Sequence, residues 1–375
     1  MSSKHILLLT LPFGALERQA LGLSILKSCL SDISIPSKIR YLTFPFAELI
    51  GVEEYYWIGT ELPHTAFAGE WLFTEALYGP RPEKDRRYIR TVLKQIWQLN
   101  DEDVSRLRQA RNMVGPFLDY CLQTIPWEKY AMVGFTSTFE QNLASLALAK
   151  KVKEIHPDLR IVFGGSNWEG EMGLELHRHF PFVDFVCVGE AEKSFPDLAR
   201  LVLTDTVSTG ALESIPGIIH RSDGKSVSTG LPELVTDLDE VQIPDYSDYF
   251  RDFECSSTGA FVVPTLLFES SRGCWWGQHS HCRFCGLNGD ALKFRHKSSS
   301  NVFRELRFLA DQWQTDMMQA VDNVVHMGFF KKLFPAFARY ERPLSFFYEV
   351  RANLTRKQVR VLRDAGVESV QPGIE

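Results

Sequence analysis

The chain has 375 residues, of which 45% are apolar and 23% are charged, the balance of a globular protein of two or three domains. Its formal net charge of −6 excludes the strong basic field that nucleic-acid binding requires. The apolar run 6–11 near the N-terminus is too short for a signal-peptide core or a membrane span. We therefore expect a cytoplasmic protein that binds neither nucleic acid nor membrane.

Strand and helix patterns alternate over residues 1–205. The predicted strands are 6–11, 37–42, 131–134, 160–163 and 185–188, and the predicted helices are 20–30, 141–155, 170–179 and 194–203. This alternation predicts a parallel, doubly wound, Rossmann-like α/β domain, which binds ligands at the carboxyl ends of its strands. Residues 51–126 interrupt the alternation and predict a helical insertion whose aromatic stripe belongs to a core rather than to a cofactor site.

A second α/β unit follows a connector that we assign to residues 206–260. Residues 261–375 contain predicted strands at 264–270, 317–322, 345–350 and 369–374, with predicted helices at 299–312, 329–340 and 355–365. This is the rhythm of a barrel with parallel strands. Four strands cannot close such a barrel, and no helix follows the fourth strand. The pattern therefore predicts a partial barrel and a chain that is a fragment or a truncated gene product.

Three cysteines share one loop directly after the first predicted strand of this second unit. Cys274, Cys282 and Cys285 have the spacing C-x7-C-x2-C. Three thiolates can hold three irons of a [4Fe–4S] cubane and leave the fourth iron open. That open site is what S-adenosylmethionine (SAM) needs, because its amino and carboxylate groups chelate the iron before an electron cleaves its carbon–sulfur bond. The loop is thus a candidate radical SAM cluster site.

A structural zinc site is the competing hypothesis for this loop. The three cysteines with His279 or His281 would make a Cys₃His set. Only one C-x2-C pair is present, and zinc does not explain the barrel-like series that follows, so we favour the cluster. The remaining four of the seven cysteines are scattered and are interpreted as bystander thiols: Cys29, Cys121, Cys187 and Cys255.

The loop and several flanking segments resemble the radical SAM superfamily. Phe284 lies where that family places an aromatic residue beside its last cysteine. Several features are similar to one subgroup of that family, whose members carry a cobalamin-binding domain. These features are the seven-residue gap between Cys274 and Cys282, the sequence Cys-Trp-Trp-Gly, and the segments 12–18, 164–167, 347–354 and 371–375. Members of this subgroup, called RiPP maturation radical SAM protein 1, modify ribosomally made peptides (RiPPs), and they include cobalamin-dependent C-methyltransferases. The barrel of that family continues for two further strands.

The resemblance implies two further sets of cofactor-binding residues. SAM contacts are expected from Phe284, Asp322, Asn323, Glu349 and Glu375. Cobalamin contacts are expected in residues 1–205, from Pro12, Phe13, Gly14, Thr136, Ser137, Thr138, Gly164, Gly165, Ser166 and Gly189. No Asp-x-His-x-x-Gly motif occurs, so cobalamin is expected to bind without a histidine ligand.

The function that the resemblance implies is radical SAM modification of a precursor peptide, with cobalamin-dependent methylation of an unactivated carbon as the leading reaction. A flavodoxin or ferredoxin is the expected electron donor. The alternatives are another radical modification of a peptide, or a non-catalytic fragment that binds metal or peptide. No individual catalytic residue is assigned from the sequence.

Overall fold

The computed structural model describes residues 4–283, 285–286 and 292–373. Within them the chain forms two compact units. The first consists of residues up to Leu16 together with Gly22–Glu233 and Pro244–Val262. The second consists of Glu17–Leu21, Leu234–Ile243 and the residues from Val263 onward. Among the described helices, none has the length and apolarity that a membrane crossing requires.

A seven-stranded sheet is the centre of the first unit. Its strands are β1 (His5–Thr10), β2 (Ser37–Tyr41), β3 (Tyr130–Thr136), β4 (Arg160–Gly164), β5 (Phe185–Cys187), β6 (Ile218–Ser222) and β7 (Lys225–Ser228), in the order β2-β1-β3-β4-β5-β6-β7. The first five are parallel. Ile6, Leu7 and Leu9 have no exposed surface, as expected of a central strand that is covered on both faces.

The sheet is mixed, which corrects the prediction of a parallel one. Strands β6 and β7 form an antiparallel hairpin, and β6 pairs antiparallel with β5. The hairpin turns at Asp223-Gly224, within the segment 206–260 that the sequence pattern assigns to a connector. The hairpin joins the sheet because the outer edge of β5 would otherwise leave backbone N–H and C=O groups unpaired.

The helices of the first unit cover the sheet and build the insertion between β2 and β3. They are α1 (Leu21–Asp32), α2 (Thr43–Ile50), α3 (Val52–Tyr56), α4 (Ala68–Tyr78), α5 (Pro82–Tyr88), α6 (Asp101–Asn112), α7 (Val114–Thr124), α8 (Asn142–Ile155), α9 (Gly170–His179), α10 (Ser194–Leu203), α11 (Thr209–Glu213) and α12 (Ser247–Glu254). Wider π-helical turns continue α3 through Trp57–Glu61 and α5 through Ile89–Ile96. The segment 51–126 thus contains α3 to α7 and these π-helical turns, and none of the described strands.

The second unit contains a four-stranded parallel sheet in the order β13-β12-β11-β8. Its elements are β8 (Leu266–Phe268), the short antiparallel pair β9 (Ser271–Arg272) and β10 (Arg295–His296), α13 (Ser299–Trp313), β11 (Met317–Ala320), α14 (Leu333–Phe337), β12 (Ser345–Arg351), α15 (Arg356–Asp364) and β13 (Val367–Gly373). All four predicted strands are present in predicted order. One face of the sheet is buried through Phe346, Tyr348 and Val350.

One predicted helix of this unit is much shorter than expected. The pattern over 329–340 predicts a continuous helix, whereas the structure has a 3₁₀ turn at Met327–Phe330 followed by α14 at Leu333–Phe337. Pro335 explains the break. Proline has no N–H to bond the carbonyl of Lys331, and its ring collides with that carbonyl in a continuous helix.

Candidate functional site

The strand order of the first unit reverses between β1 and β3. Open sheets whose strands run 2-1-3-4-5 bind ligands outside the carboxyl ends of the strands at this reversal. Residues 12–14 follow β1, and residues 136–138 comprise the last residue of β3 and the two after it. These two of the predicted cobalamin segments therefore lie at the reversal. The segment 164–166 and Gly189 follow β4 and β5 along the same edge. We call this the carboxyl edge.

Buried Gln141 joins the loops after β1 and β3. Its Nε2 donates to the carbonyl of Leu11 at 2.8 Å and to the hydroxyl of Thr10 at 3.2 Å. Its Oε1 accepts from the backbone N–H of Thr138 at 3.1 Å and from the Thr138 hydroxyl at 2.8 Å. The predicted ligand residue Thr138 therefore caps a helical turn, and the two loops are held in one fixed arrangement.

Ser137 and Gly165 join the loops after β3 and β4. Ser137 is fully buried, its N–H donates to the carbonyl of Gly164 at 2.9 Å, and its hydroxyl accepts from Asn167 Nδ2 at 3.0 Å. Gly165 has φ +91°, and a Cβ there would lie 2.6 Å from the carbonyl oxygen of Ser137. The sequence predicts that this glycine admits a ligand. The observed reason for glycine is the close packing of the two loops.

The residues after β1 pack against the helical insertion. The ring of Phe13 lies 4.9 Å from the ring of Tyr55 and 5.7 Å from that of Phe46. The Tyr55 hydroxyl donates to the carbonyl of Gly14 at 2.6 Å. A Cβ at Gly14 would approach Gln141 Nε2 to 2.6 Å. This loop is therefore braced from the insertion on one side and by Gln141 on the other.

Two buried glutamates cap each other's helices behind this edge. Glu70, in the first turn of α4, accepts from the N–H groups of Asn142 at 2.9 Å and Leu143 at 2.6 Å, at the start of α8. Glu140, just before α8, accepts from the N–H of Gly69 at the start of α4. Both carboxylates thus satisfy free N–H groups at helix N-termini. We call these residues the Glu70–Glu140 pair.

The sequence reasoning missed this pair, although Glu70 is a lone acid in the apolar run Ala68–Phe73. Glu70 is 9% exposed and Glu140 is 5% exposed. Burial, together with the nearby charge of Glu140, raises the pKa of Glu70 to about 7, against the N–H bonds that lower it. Burial also raises the pKa of Glu140 to about 7. Both carboxyl groups are therefore expected to change protonation state near neutral pH.

The surface of the carboxyl edge suits an amide-bearing macrocycle such as cobalamin. Gly165, Ser166 and Gly189 are exposed and present backbone amides. The ring of Phe139 is 76% exposed and offers apolar area. The ring of His64 stacks on it with 5.8 Å between centroids, so the structure places an imidazole at this edge that no sequence motif predicted. The residues present therefore fit the predicted cofactor in chemical type.

The cysteine loop leaves the four-stranded sheet after β8 and β9. Cys274, Cys282 and Cys285 are free thiols of intermediate burial, and the N–H of Gly277 donates to Cys274 Sγ at 3.3 Å. The donor set is that of a [4Fe–4S] cluster with one open iron. Nowhere in the described residues are three His, Cys, Asp or Glu side chains gathered closely enough to hold a metal ion. The ligands are present in type and number, and they are not assembled.

The competing zinc set is not assembled either. His279 and His281 are both exposed, and the absence of a metal-holding group among the described residues applies to them as well. Phe284, the predicted aromatic neighbour of the last cysteine, and Glu375 lie outside the described residues.

Asp322 fixes the start of the cysteine loop. It follows β11, is 1% exposed, and accepts from the N–H groups of Ser270 at 2.8 Å and Ser271 at 3.0 Å as well as from the Ser270 hydroxyl. Burial raises its pKa to about 6, against these hydrogen bonds. Its oxygens, predicted to contact SAM, thus accept hydrogen bonds from the protein itself. In this structure Asp322 is a positioning residue for the loop.

Contacts from the next strands hold the base of the loop. Asn323 Nδ2 donates to the carbonyl of Gly273 at 3.5 Å, and Trp275 Nε1 donates to the carbonyl of Val325 at 3.3 Å. The guanidinium of Arg351, at the end of β12, lies 5.1 Å from the ring of Trp275 and 4.0 Å from that of Trp276. The aromatic pair after the first cysteine is therefore a cation–π anchor.

Glu349, a predicted SAM residue, lines a cavity of about 480 Å³ whose walls include residues of β11, β12 and β13. The cavity is also lined by the polar side chains of Arg18, Gln319 and Gln371. Of the predicted SAM residues, the structure therefore brings Asp322 and Asn323 to the cysteine loop and places Glu349 in the lining of this cavity.

Two solved protein structures are similar in fold to this chain. The chain aligns over 99% of its length with the cobalamin-dependent S-adenosylmethionine radical enzyme OxsB, solved with aqua-cobalamin and S-adenosylmethionine, with a TM-score of 0.60 and 14% identity. It aligns over 100% of its length with the radical S-adenosylmethionine methyltransferase TsrM from Kitasatospora setae, solved with cobalamin and a [4Fe-4S] cluster, with a TM-score of 0.59 and 16% identity. The α/β fold is thus that of part of the cobalamin-dependent radical SAM enzymes.

One relative is also similar in sequence. An uncharacterised methyltransferase of Pyrococcus horikoshii is 26% identical over 250 residues, which is 65% of this chain and 51% of the relative. No protein-family profile matches the chain. The chain covers 44% of OxsB and 59% of TsrM, so it spans about half the length of the proteins that it resembles.

Proposed function

We propose that this chain belongs to a cobalamin-dependent radical SAM enzyme that methylates an unactivated carbon of a ribosomally made precursor peptide. The observation that carries the proposal is the set of three free thiols on the loop after the first strand of the parallel sheet. The whole-chain fold similarity to OxsB and TsrM and the sequence similarity to a methyltransferase support it.

Two groups would supply chemistry to this chain when bound. A [4Fe–4S] cluster would supply the electron that cleaves the carbon–sulfur bond of SAM, and cobalamin would supply methyl-transfer chemistry. Cys274, Cys282 and Cys285 would hold the cluster. Asp322 holds the entry of that loop in place, and Glu349, which lines the cavity beside β12, would accept hydrogen bonds from SAM hydroxyls.

The carboxyl edge of the first unit would hold cobalamin. Its loops are fixed by Gln141 and Ser137, so they need no reorganisation when a ligand binds. The exposed backbone at Gly165 and Gly189 would meet the amides of the macrocycle, and Phe139 would cover apolar surface. A flavodoxin or ferredoxin is the proposed electron donor.

Metal analysis after anaerobic reconstitution tests the cluster. The full chain with added iron and sulfide should become brown and hold about four irons. Cys282→Ala should reduce iron to background, because two thiolates do not retain a cubane. Cys255→Ala, which removes an exposed thiol outside the loop, is the matched control and should keep the iron. Zinc in place of iron in anaerobically purified protein would contradict the proposal.

Equilibrium dialysis against hydroxocobalamin tests the other half. The full chain should retain cobalamin with a spectrum that lacks histidine ligation. A histidine-type spectrum that disappears in His64→Ala would overturn the expectation of a histidine-free site. If no cobalamin is retained, methyl transfer loses its support, and another radical modification of a peptide becomes the better hypothesis.

A further inference from the structure

The helical insertion contains a groove that the proposed chemistry does not use. The groove has a volume of about 320 Å³ and lies between α4 and α5. Its walls include the rings of Trp71 and Tyr88, stacked with 5.4 Å between centroids, and the rings of Phe67 and Tyr78. Phe67 is 58% exposed and Tyr78 is 42% exposed. We call this the aromatic groove.

One side of the aromatic groove is rich in positive charge, although the whole chain has a net charge of −6. Arg81 and Lys84 line the groove and are exposed, and the Arg81 guanidinium lies 4.7 Å from the Tyr78 ring. Residues 81–90 contain five basic and two acidic side chains. Within the described residues, none of those five basic side chains forms an ion pair. Their charge is therefore available to a partner.

The two acidic side chains that line the groove, Glu70 and Asp85, already accept hydrogen bonds from other groups of the protein. Asp85 accepts from both guanidinium nitrogens of Arg111, at 2.9 and 3.2 Å, and from Trp71 Nε1 at 2.9 Å. Glu70 accepts from the two N–H groups at the start of α8. The groove thus combines aromatic walls with an uncompensated basic rim, a surface complementary to an apolar side chain flanked by negative charges.

We propose that the aromatic groove docks an acidic peptide segment by taking up one of its apolar side chains. The volume lies at the small end of ligand pockets, about 300–1,000 Å³, and suits one side chain. A membrane would require protruding apolar side chains, whereas these rings line a hollow. Nucleic acid would require a longer basic track. The choice of a peptide rests on the proposed function, in which the groove would hold the precursor at a distance from its reacting residue.

Fluorescence anisotropy with the full chain tests the docking. The probe is a short fluorescein-labelled peptide of Asp, Glu and Gly with one central Phe. It should bind the wild type, and added salt should weaken it because the charged rim is exposed. The same peptide with Ala in place of Phe should bind about tenfold more weakly, since burial of the ring is lost.

Two pairs of variants separate the surface from general charge and folding effects. Arg81→Glu with Lys84→Glu should weaken the Phe peptide about tenfold. Arg356→Glu with Lys357→Glu makes the same charge change at the start of α15 and should leave binding unchanged. Phe67→Ala should weaken binding, and Phe261→Ala, at a ring that is 76% exposed outside the groove, should not.

Unchanged binding to the Arg81/Lys84 variant, or an equal loss in the α15 control, would overturn the proposal. So would tighter binding of duplex DNA or phosphatidylserine vesicles that the same variant abolishes, because the partner would then be of another class. The assay uses protein without iron, SAM or cobalamin. If the chain binds the peptide but takes up no iron in the separate reconstitution, only the proposed chemistry is wrong. If it takes up iron but does not bind the peptide, only the docking is wrong.

Discussion

The carboxyl edge of the seven-stranded sheet and the cysteine loop of the four-stranded sheet are two candidate cofactor sites with opposite construction. At the carboxyl edge, buried side chains join successive loops: Gln141 connects the loops after β1 and β3, and Ser137 connects those after β3 and β4. At the cysteine loop, Asp322 and Arg351 hold only the base. The three thiols are not gathered into a metal-binding group.

The two proposed cofactors would place different demands on their sites. A large organic macrocycle adds no strong bonds to fold a loop, so its site has to be shaped beforehand by the protein. Thiolate–metal bonds supply enough free energy to assemble their own ligands, and metal binding is coupled to local folding. We therefore expect the carboxyl edge to keep its geometry without ligand, and iron to bring Cys274, Cys282 and Cys285 together.

Removing Asp322 should have the largest effect on the cysteine loop. Asp322→Ala leaves the N–H groups of Ser270 and Ser271 buried without an acceptor, and we expect a loss of about 4 kcal/mol in the free energy of unfolding. Asp322→Asn keeps an amide oxygen for those N–H groups and should recover most of it. Urea denaturation measures both variants. Equal losses would show that the charge, rather than the hydrogen bonds, fixes the loop entry.

The Glu70–Glu140 pair should make the stability of the carboxyl edge depend on pH. Each pKa is raised from 4.5 to about 7 in the folded state, so folding favours the protonated carboxyl. This contribution is present below the unfolded pKa and is lost as pH rises through about 7, by about 3 kcal/mol for one carboxyl. The titratable groups near the pair include exposed His64, whose Nδ1 lies 3.7 Å from Glu140 Oε1, and the Tyr88 phenol, whose pKa is raised by burial.

Urea denaturation at about pH 5 and about pH 8 checks this pH dependence. Glu70→Gln with Glu140→Gln should lose less stability than the wild type across that interval, because neither side chain can ionise. Glu102→Gln, at an exposed position in the first turn of α6, is the matched control and should follow the wild type. Parallel pH curves for all three proteins would contradict the prediction.

Gly165→Ala should break the packing between the β3 and β4 loops. The φ of +91° and the approach of a Cβ to within 2.6 Å of the Ser137 carbonyl oxygen predict a loss of about 2 kcal/mol. Gly170→Ala is the control, since Gly170 has φ +53° and open space around the added Cβ. Its smaller loss measures backbone strain alone. Thermal denaturation with and without cobalamin distinguishes loop packing from ligand contact.

The smallest expected effect concerns the cation–π anchor of the cysteine loop. Arg351→Gln should cost about 1 kcal/mol and should speed the loss of iron from reconstituted protein. Arg307→Gln removes a cation that lies 5.3 Å from the Tyr340 ring, away from the loop, and should not change iron retention. Equal iron-loss rates in the two variants would show that the anchor does not act on the thiols.

Much of the architecture could be predicted from the sequence because it depends on local pattern. The strands around Leu8, Val162 and Phe346 are continuous or alternating apolar runs, and each lies within about two residues of its predicted position. The cysteine spacing likewise follows from the chain itself. Where local rules failed, the missed signal was local too, as with Pro335 in the shortened helix α14.

The tertiary structure alone decided what the polar residues do. Ser137, Thr138 and Asp322 were predicted to face ligands, and all three make hydrogen bonds within the protein. Glu70 and Glu140 are 70 residues apart and come together only when α4 packs on α8. Apolar periodicity can be recognised in the sequence because each residue that faces the core has to be apolar by itself, whatever its neighbours are. A buried polar side chain bonds to whichever backbone groups the folded chain brings near it and leaves without another partner. Those groups come from distant parts of the sequence, so no local pattern predicts them.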